Sequence, residues 1–373
     1  MTDVAVVGAG VVGLACAAEL ARRGLGVTVV EQNSRIAAET STRNSGVIHA
    51  GLYDRPGSLK AVLAVEGRER LYARCARWQI PHRRVGKLVV ATTPDEAVAL
   101  EAVFRRGNEN GAGALALLDG PALRRVEPRV RACLGLWSPE TGIVDPFALA
   151  QSYQAEAEQH GAVLVLRTRV LTVTTNANGF LLDTVGADGT RCAFPCEVVV
   201  NAAGLGALEL ARSVGREALV RGRRLQLCKG DYFAVAPACG VLAQHLVYPV
   251  PSRQGLGIHV TMDLGGQFRL GPDAEDVAVP SYQVAATKAV QFAAAVARYL
   301  PGLSANDLRP DYAGLRPRLA PAPVAGADFV LESGESLGLS GYLQLLGVES
   351  PGLTAAGAIA RRAADLLLGG GSV

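Results

Sequence analysis

Charge of one sign is scarce in this sequence. Lys and Arg together number 37, Asp and Glu 34, and the formal net charge is +3 over 373 residues. A chain so evenly balanced lacks the electrostatic footprint of a nucleic-acid binder. Its densest basic stretch, Arg221, Arg223, Arg224 and Lys229, is short enough to be a solvated face. Long apolar runs are missing too. The most apolar segment, Val4 to Ala18, is closed by Glu19, Arg22 and Arg23 before it reaches the roughly 20 residues that a membrane helix needs. Met1-Thr2-Asp3 carries no basic residue, so the same segment is not expected to be a secretory signal. The seven cysteines, at 16, 75, 133, 192, 196, 228 and 239, are scattered and form no CxxC. No metal site is expected from that spacing, and free thiols in a reducing, cytoplasmic compartment are the simplest account. Internal repeats and low-complexity linkers are absent. Apolar residues reach 49%, which excludes a disordered chain. The 43 glycines follow no three-residue rhythm, which excludes collagen.

What is present begins at residue 4. Val4-Ala5-Val6-Val7 reads as a strand buried on both faces. Gly8-Ala9-Gly10-Val11-Val12-Gly13 follows, then a helix over Leu14 to Arg23 with Gly24 as its left-handed cap. Val27-Thr28-Val29-Val30 is a second strand, with Glu31 and Gln32 at its end. Each part suits a dinucleotide. Gly8 allows the tight turn, Gly10 lets a pyrophosphate approach the backbone, and Gly13 lets helix and strand pack closely. The helix tip offers free N–H groups, here from Val11 and Val12, to the phosphates. Glu31 can accept both ribose hydroxyls of an adenosine and disfavours a 2′-phosphate. The fingerprint alone does not separate FAD from NAD.

The next segment does. Thr40-Ser41-Thr42-Arg43-Asn44-Ser45-Gly46-Val47-Ile48-His49-Ala50-Gly51 is rich in small polar residues, where a simple NAD-binding unit would run into another helix. This run, followed by Pro56-Gly57-Ser58-Leu59-Lys60, resembles the flavin-contacting segment of the FAD-dependent oxidoreductases of the D-amino-acid oxidase (DAO) superfamily. Within it, the likeness is greatest to the L-2-hydroxyglutarate oxidase/dehydrogenase group, and it covers nearly the whole chain. The resemblance implies FAD held by a Rossmann-type, glutathione-reductase-like α/β domain, with an interleaved α+β substrate domain built on a mixed sheet. It implies cofactor contacts from Thr40, Ser41, Arg43, Asn44, Ser45, Gly46 and Val47, and from Val170 beside Arg169. Ala202, Ala203 and Gly204, after the strand Val198-Val199-Val200-Asn201, belong to the same set.

The rest of the chain supplies helices over Ser58 to Arg77, Pro94 to Asn110 and about Pro146 to His160, the last with Asp145 as N-cap. Strands are expected over Gly86 to Ala91 and, with turns at 176–179 and 187–189, over 161–190. The cofactor domain is expected to comprise 1–77, 142–215 and 318–373, and the substrate domain 78–141 and 216–317. Near the C-terminus, Gly347-Val348-Glu349-Ser350-Pro351-Gly352-Leu353-Thr354 leads into a helix over Ala355 to Leu368, with Ser350 as N-cap and Pro351 at the first helical position. The resemblance makes Gly347, Glu349 and Ser350 to Thr354 flavin contacts, the helix tip facing the pyrimidine ring.

Tyr312-Ala313-Gly314-Leu315-Arg316-Pro317 resembles the family segment whose arginine holds the substrate carboxylate and reaches the cofactor. The planar fork of Arg316 suits a carboxylate. Oxidising a 2-hydroxy acid sends a hydride from the α-carbon to flavin N5 and leaves a hydroxyl proton. His49 and His259 are the expected acceptors, with a pKa near 7. Tyr248 and Lys229 are weaker candidates for substrate contacts. A small 2-hydroxy acid such as L-2-hydroxyglutarate is the leading expectation. An amino-acid or secondary-amine oxidase is the alternative, and a non-catalytic flavin-binding subunit a third. The electron acceptor (oxygen, a quinone or a carrier protein) and the oligomeric state stay open.

Overall fold

The computed structural model describes residues 2–251, 257–320 and 327–369. Its first sheet has eight strands, and its middle is parallel. Val163–Val165, Val27–Val30, Thr2–Val7, Arg191–Asn201 and Tyr342–Leu346 lie side by side in that order. The β-branched run at residues 4–7 is buried on both faces, and alternate residues feed different cores. Val4 and Val6 meet Leu14, Leu343 and Ile359, whereas Ala5 and Val7 meet Val173, Phe180 and Tyr342. Three helices cover the first face: Val11–Arg22 packs against both Pro146–Gln159 and Gly352–Leu367. An antiparallel meander, Thr168–Asn176 with Gly179–Gly186, continues from the N-terminal half of the long 191–201 strand.

A second, nine-stranded sheet gathers Lys87–Ala91, Ala116–Asp119, Leu134–Ser138, Arg224–Val235, Leu246–Pro249, Val260–Met262, Phe268–Leu270, Glu275–Val277 and Leu308–Ala320. It is mixed, because Leu246–Pro249 runs parallel to Lys87–Ala91 while the other pairs are antiparallel. Phe292 and Val296 of the helix Ala289–Ala297 share its core with Leu88, Val90 and Phe233. A small three-stranded sheet, with Val47–Ile48, Gly142–Val144 and His82–Arg83, lies in the segments between the two. The α/β architecture is the one expected: a Rossmann-type sheet and a mixed sheet.

Local signals placed most helices well. Pro94–Asn110 ends at Gly111 with φ 76°, and Asp145 accepts from the N–H groups of Phe147 and Ala148. Two starts differ. The first helix begins at Val11, three residues before the expected Leu14, because Gly13 belongs to its first turn rather than to the loop. The last helix begins at Gly352 with Pro351 in the cap position, so Ser350 is not its N-cap. Among the described residues no helix is long and apolar enough to cross a membrane.

Candidate active site

The glycine turn builds one end of a long cleft. Gly8 sits at φ +104°, where a side chain would be strained, and a Cβ on it would lie 2.6 Å from the Ala202 carbonyl oxygen. A Cβ at Gly13 would lie 2.0 Å from the Gly8 carbonyl oxygen. Strand and helix therefore touch backbone to backbone, which fixes the helix tip at the mouth of the turn. There the N–H of Val11 donates to Ser41 Oγ at 2.9 Å, and a Cβ at Gly10 would meet that same oxygen at 3.1 Å. The tip thus already selects an oxygen acceptor, as phosphate oxygens would be.

Glu31 is buried beside it. Its Oε2 accepts from the Ala9 N–H at 2.7 Å, and its Oε1 accepts from the N–H and side-chain amide of Asn33 at 2.8 and 2.7 Å. These bonds lock the carboxylate at the end of its strand and leave it spare lone pairs. Of the residues expected to hold a dinucleotide, Gly8, Gly10, Glu31, Gln32, Thr40, Ser41, Val170, Ala202, Ala203 and Gly204 line one cleft. Asn33, Glu39, Leu171, Leu205 and Glu209 line it too and were not foreseen. Glu31→Ala should weaken FAD retention by about 10- to 100-fold, the worth of a charged hydrogen-bond set, read by equilibrium dialysis of the flavin. An unchanged affinity would mean that Glu31 serves the loop alone.

The polar segment leaves the cleft and runs under the second sheet. Asn44 braces it, donating to the carbonyls of Thr40 and Ser41 and accepting from the Gly46 N–H. Thr40 Oγ1 donates to the Leu315 carbonyl at 2.9 Å, and the Tyr312 hydroxyl donates to the Asn44 carbonyl at 2.7 Å. Gly314 lets its strand come so close to the polar segment that a Cβ would lie 2.1 Å from the Arg43 carbonyl oxygen. The Arg43 guanidinium stacks on Tyr282, and Ser45 shares a hydrogen bond with the Tyr232 hydroxyl. The segment that should hold a flavin and the strand carrying Arg316 are therefore one unit.

His49 closes this segment, two residues beyond Val47. Its N–H donates to Thr354 Oγ1 at 3.0 Å, and its Nε2 lies 3.3 Å from Ser350 Oγ. Freed from capping, Ser350 faces the histidine. Glu349 instead turns its carboxylate to Lys60 at 2.9 Å, and a Cβ at Gly347, at φ +68°, would crowd Leu319. Gly352 and Leu353 form the first turn of the helix at the same end. Withdrawal from water, with the charge of Lys87 added, pushes the His49 imidazole down to about 3. That lies below the value near 7 expected of a proton acceptor.

On the second sheet, His259 is buried and stacks on buried Tyr248, ring centres 3.5 Å apart. Arg316 is half-buried and among the described residues forms no ion pair: its Nη1 donates to Cys228 Sγ at 3.3 Å and its Nη2 to the Asp273 carbonyl at 3.2 Å. Gly230 makes room for it, since a Cβ there would lie 2.8 Å from Nη2. Lys229 is a different case. Its Nζ is held by Asp231 at 2.9 Å and by the Gln283 carbonyl, so it has no charge to spare for a substrate. The carboxylates of Asp231, Asp273 and Glu275 converge, but on the ammonium of Lys288 at 2.6 to 2.9 Å. The cation that sequence reasoning passed over is Lys87, completely buried below Tyr53 and Tyr248. A lone charge in the apolar strand Gly86-Lys87-Leu88-Val89-Val90-Ala91 was its signal.

A cleft with a glycine turn, a buried acid and a helix tip, continued by a braced polar segment under a half-buried arginine, has the features expected of a groove for an extended dinucleotide. The comparisons agree. The profile of the FAD dependent oxidoreductase (DAO) family matches residues 3–366, and the chain belongs to that family of FAD-dependent enzymes. It is 35% identical to a mitochondrial L-2-hydroxyglutarate dehydrogenase of Arabidopsis thaliana, over 98% of this chain and 83% of that one. It is 29% identical to a glycerol 3-phosphate dehydrogenase of Caloramator mitchellensis, over 98% and 74%. The solved structure of L-alpha-glycerophosphate oxidase from Mycoplasma pneumoniae, with FAD bound, superposes with a TM-score of 0.88 at 28% identity, covering 98% and 94%.

Proposed function

We propose that this FAD-dependent oxidoreductase oxidises a small 2-hydroxy acid, with L-2-hydroxyglutarate the foremost candidate. The observation that carries this reading is Arg316, which forms no ion pair among the described residues, is held by Cys228 and the Asp273 carbonyl, and lies on the strand hydrogen-bonded to the polar segment that ends at His49. The similarity to L-2-hydroxyglutarate dehydrogenase supports the substrate class. Bound FAD supplies the acceptor for the two electrons and the α-hydrogen. Arg316 binds the substrate carboxylate with its fork, held in place by Cys228 and the Asp273 carbonyl. His49 takes the hydroxyl proton at Nε2, with Ser350 orienting the ring and Thr354 holding its backbone. His259, kept flat by Tyr248, is the second acceptor to be tested. The main chain at residues 347–354 and the segment 40–47 hold the flavin; Gly8 to Gly13, Glu31, Gln32, Val170 and 202–204 hold the adenosine and phosphates. We assign the cofactor domain to 1–77, 142–215 and 318–373, and the substrate domain to the rest. All seven cysteines are unpaired, which supports a reducing compartment such as the cytoplasm.

Glycerol 3-phosphate is the second reading, favoured by two of the similar proteins. A guanidinium holds a phosphate as well as a carboxylate, so the choice is made by turnover. Supplied with an artificial electron acceptor, the enzyme should produce a 2-oxo acid from 2-hydroxy acids at a far higher kcat/KM than a ketone from glycerol 3-phosphate; the reverse order would replace the first reading with the second. In either case Arg316→Ala should raise KM by about 10- to 100-fold, the worth of one charged hydrogen-bonded contact. A KM that stays put would remove the arginine from the anion site.

A further inference from the structure

Arg316 rests against the carbonyl of an acidic residue and not against its carboxylate. Asp273 offers Nη2 its main-chain oxygen at 3.2 Å, while both oxygens of its side chain are engaged elsewhere. Oδ1 accepts from the Asp231 N–H at 2.7 Å, and Oδ2 accepts from Lys288 Nζ at 2.9 Å. Lys288 stands immediately before the helix Ala289–Ala297. Its ammonium also donates to Asp231 Oδ2 and Glu275 Oε2, each at 2.6 Å. An ammonium has three N–H donors, so these three acids use all of them. The acids do not depend on it equally. Asp231 already has Lys229 at 2.9 Å, and Glu275 is exposed to water. Among the described residues the one cation paired with Asp273 is Lys288.

We infer that Lys288 is a positioning residue for the anion site: by holding the Asp273 carboxylate it keeps that acid off Arg316 and leaves the guanidinium fork open to the substrate. This rests on Arg316 being the anion-binding residue, as proposed above. The Asp273 carboxylate and the carbonyl that touches Nη2 are carried by one Cα. Rotation about the side-chain bonds, with the main chain in place, therefore carries the acid toward the guanidinium. A carboxylate paired with arginine is charge-assisted from both sides, whereas the Asp231 N–H that would still hold it without Lys288 is neutral. The clamp would then be filled from within, as by a tethered competitor. A site open for only part of the time binds its ligand with an apparent constant raised in inverse proportion to the open fraction. The expected signature of losing Lys288 is thus a higher KM with kcat kept.

The test uses the FAD-loaded enzyme with Lys288→Met, Lys288→Gln, Lys288→Arg and Asp273→Asn, and with Lys288→Met combined with Asp273→Asn. Thermal melting and flavin content confirm that each is folded and loaded. KM and kcat are read with an artificial electron acceptor on whichever of L-2-hydroxyglutarate and glycerol 3-phosphate is turned over. The dissociation constant of the oxidised product is read from the change it makes in the flavin spectrum. Lys288→Met and Lys288→Gln should raise KM and the product's dissociation constant together by about tenfold, with kcat within about twofold of the natural enzyme. Added to Asp273→Asn, Lys288→Met should raise them by less than about twofold, because no carboxylate is left to fill the clamp. Lys288→Arg keeps the charge and should stay within about threefold of the natural KM. Equal rises with and without the Asp273 carboxylate overturn the inference and make Lys288 a general source of positive charge. So does a fall in kcat with KM unmoved, or no change in either uncharged variant. Arg316→Ala separates this from the reading beneath it. A raised KM there with inert Lys288 variants removes this inference alone, whereas an unchanged KM removes the anion clamp and the inference with it.

Discussion

Gly13→Ala should emerge from purification colourless, or nearly so. The added Cβ would stand 2.0 Å from the Gly8 carbonyl oxygen, 3.1 Å from its carbon and 3.3 Å from the Ala202 Cβ. The first two are backbone atoms of the strand-to-helix turn, with no rotamer to swing away. The helix Val11–Arg22 would have to move off its strand by roughly an ångström, well beyond what a packed interface absorbs, at an expected cost of about 1–3 kcal/mol or more. The same shift carries the Val11 N–H away from the phosphates, so FAD retention should fall by at least about 100-fold. Gly24→Ala is the control. It changes a glycine that, unlike Gly13, sits at positive φ, +91°, but a Cβ there meets nothing within 4 Å. It should cost about 1 kcal/mol of stability and keep its yellow colour. Flavin-to-protein absorbance and thermal melts of the two variants check this directly. Full flavin content in Gly13→Ala would show that the close approach of helix and strand is dispensable.

The second large effect concerns chemistry rather than assembly. Replacing the proton acceptor should slow anaerobic flavin bleaching by a 2-hydroxy acid by about two to four orders of magnitude. His49→Ala is expected to show this loss, because His49 joins the polar segment to the C-terminal helix through Thr354 and Ser350. His259→Ala, made in parallel, should lose less; if it alone carries the loss, the two histidines exchange roles. The pH sign follows from the direction of the shift. The His49 imidazole is held down to about 3 by burial and by Lys87, so the wild-type rate should fall only as the medium becomes strongly acidic, when the ring is protonated and cannot accept. An acid limb near pH 6 to 7, the range of an ordinary histidine, would contradict this environment. Were the substrate a neutral amine, neither alanine variant should matter, since an uncharged amine needs no proton removed.

Parts of this were legible in the residues because their causes are local. A strand, three spaced glycines, a small-faced helix, a second strand and Glu31 fall within 31 residues and determine one another. Thr93-Pro94 and Gly111 bracket a helix by capping chemistry alone. The places where the reading failed depend on distant segments. Lys229 was a candidate for a substrate contact, but in the fold its Nζ is held by Asp231, two positions along the same strand, and by the Gln283 carbonyl brought in from 54 positions away. Ser350 looked like a cap until the fold put His49 from 301 positions away beside its hydroxyl. Arg316 could be named from its motif, but its anchors Cys228 and Asp273 could not, since they reach it only through the pairing of Arg224–Val235 with Leu308–Ala320 and the strands beyond. Lys87 escaped because one charge in an apolar strand resembles an exposed edge until the neighbouring strands cover it.

The most direct measurement is to mix the yellow, oxygen-free enzyme with L-2-hydroxyglutarate and, separately, with L-glutamate, which differs only in carrying an amine in place of the hydroxyl, and to record the visible absorbance. Rapid, saturable loss of colour with the hydroxy acid and none with the amino acid is the result predicted. Bleaching by the amino acid, with the hydroxy acid inert, would contradict it.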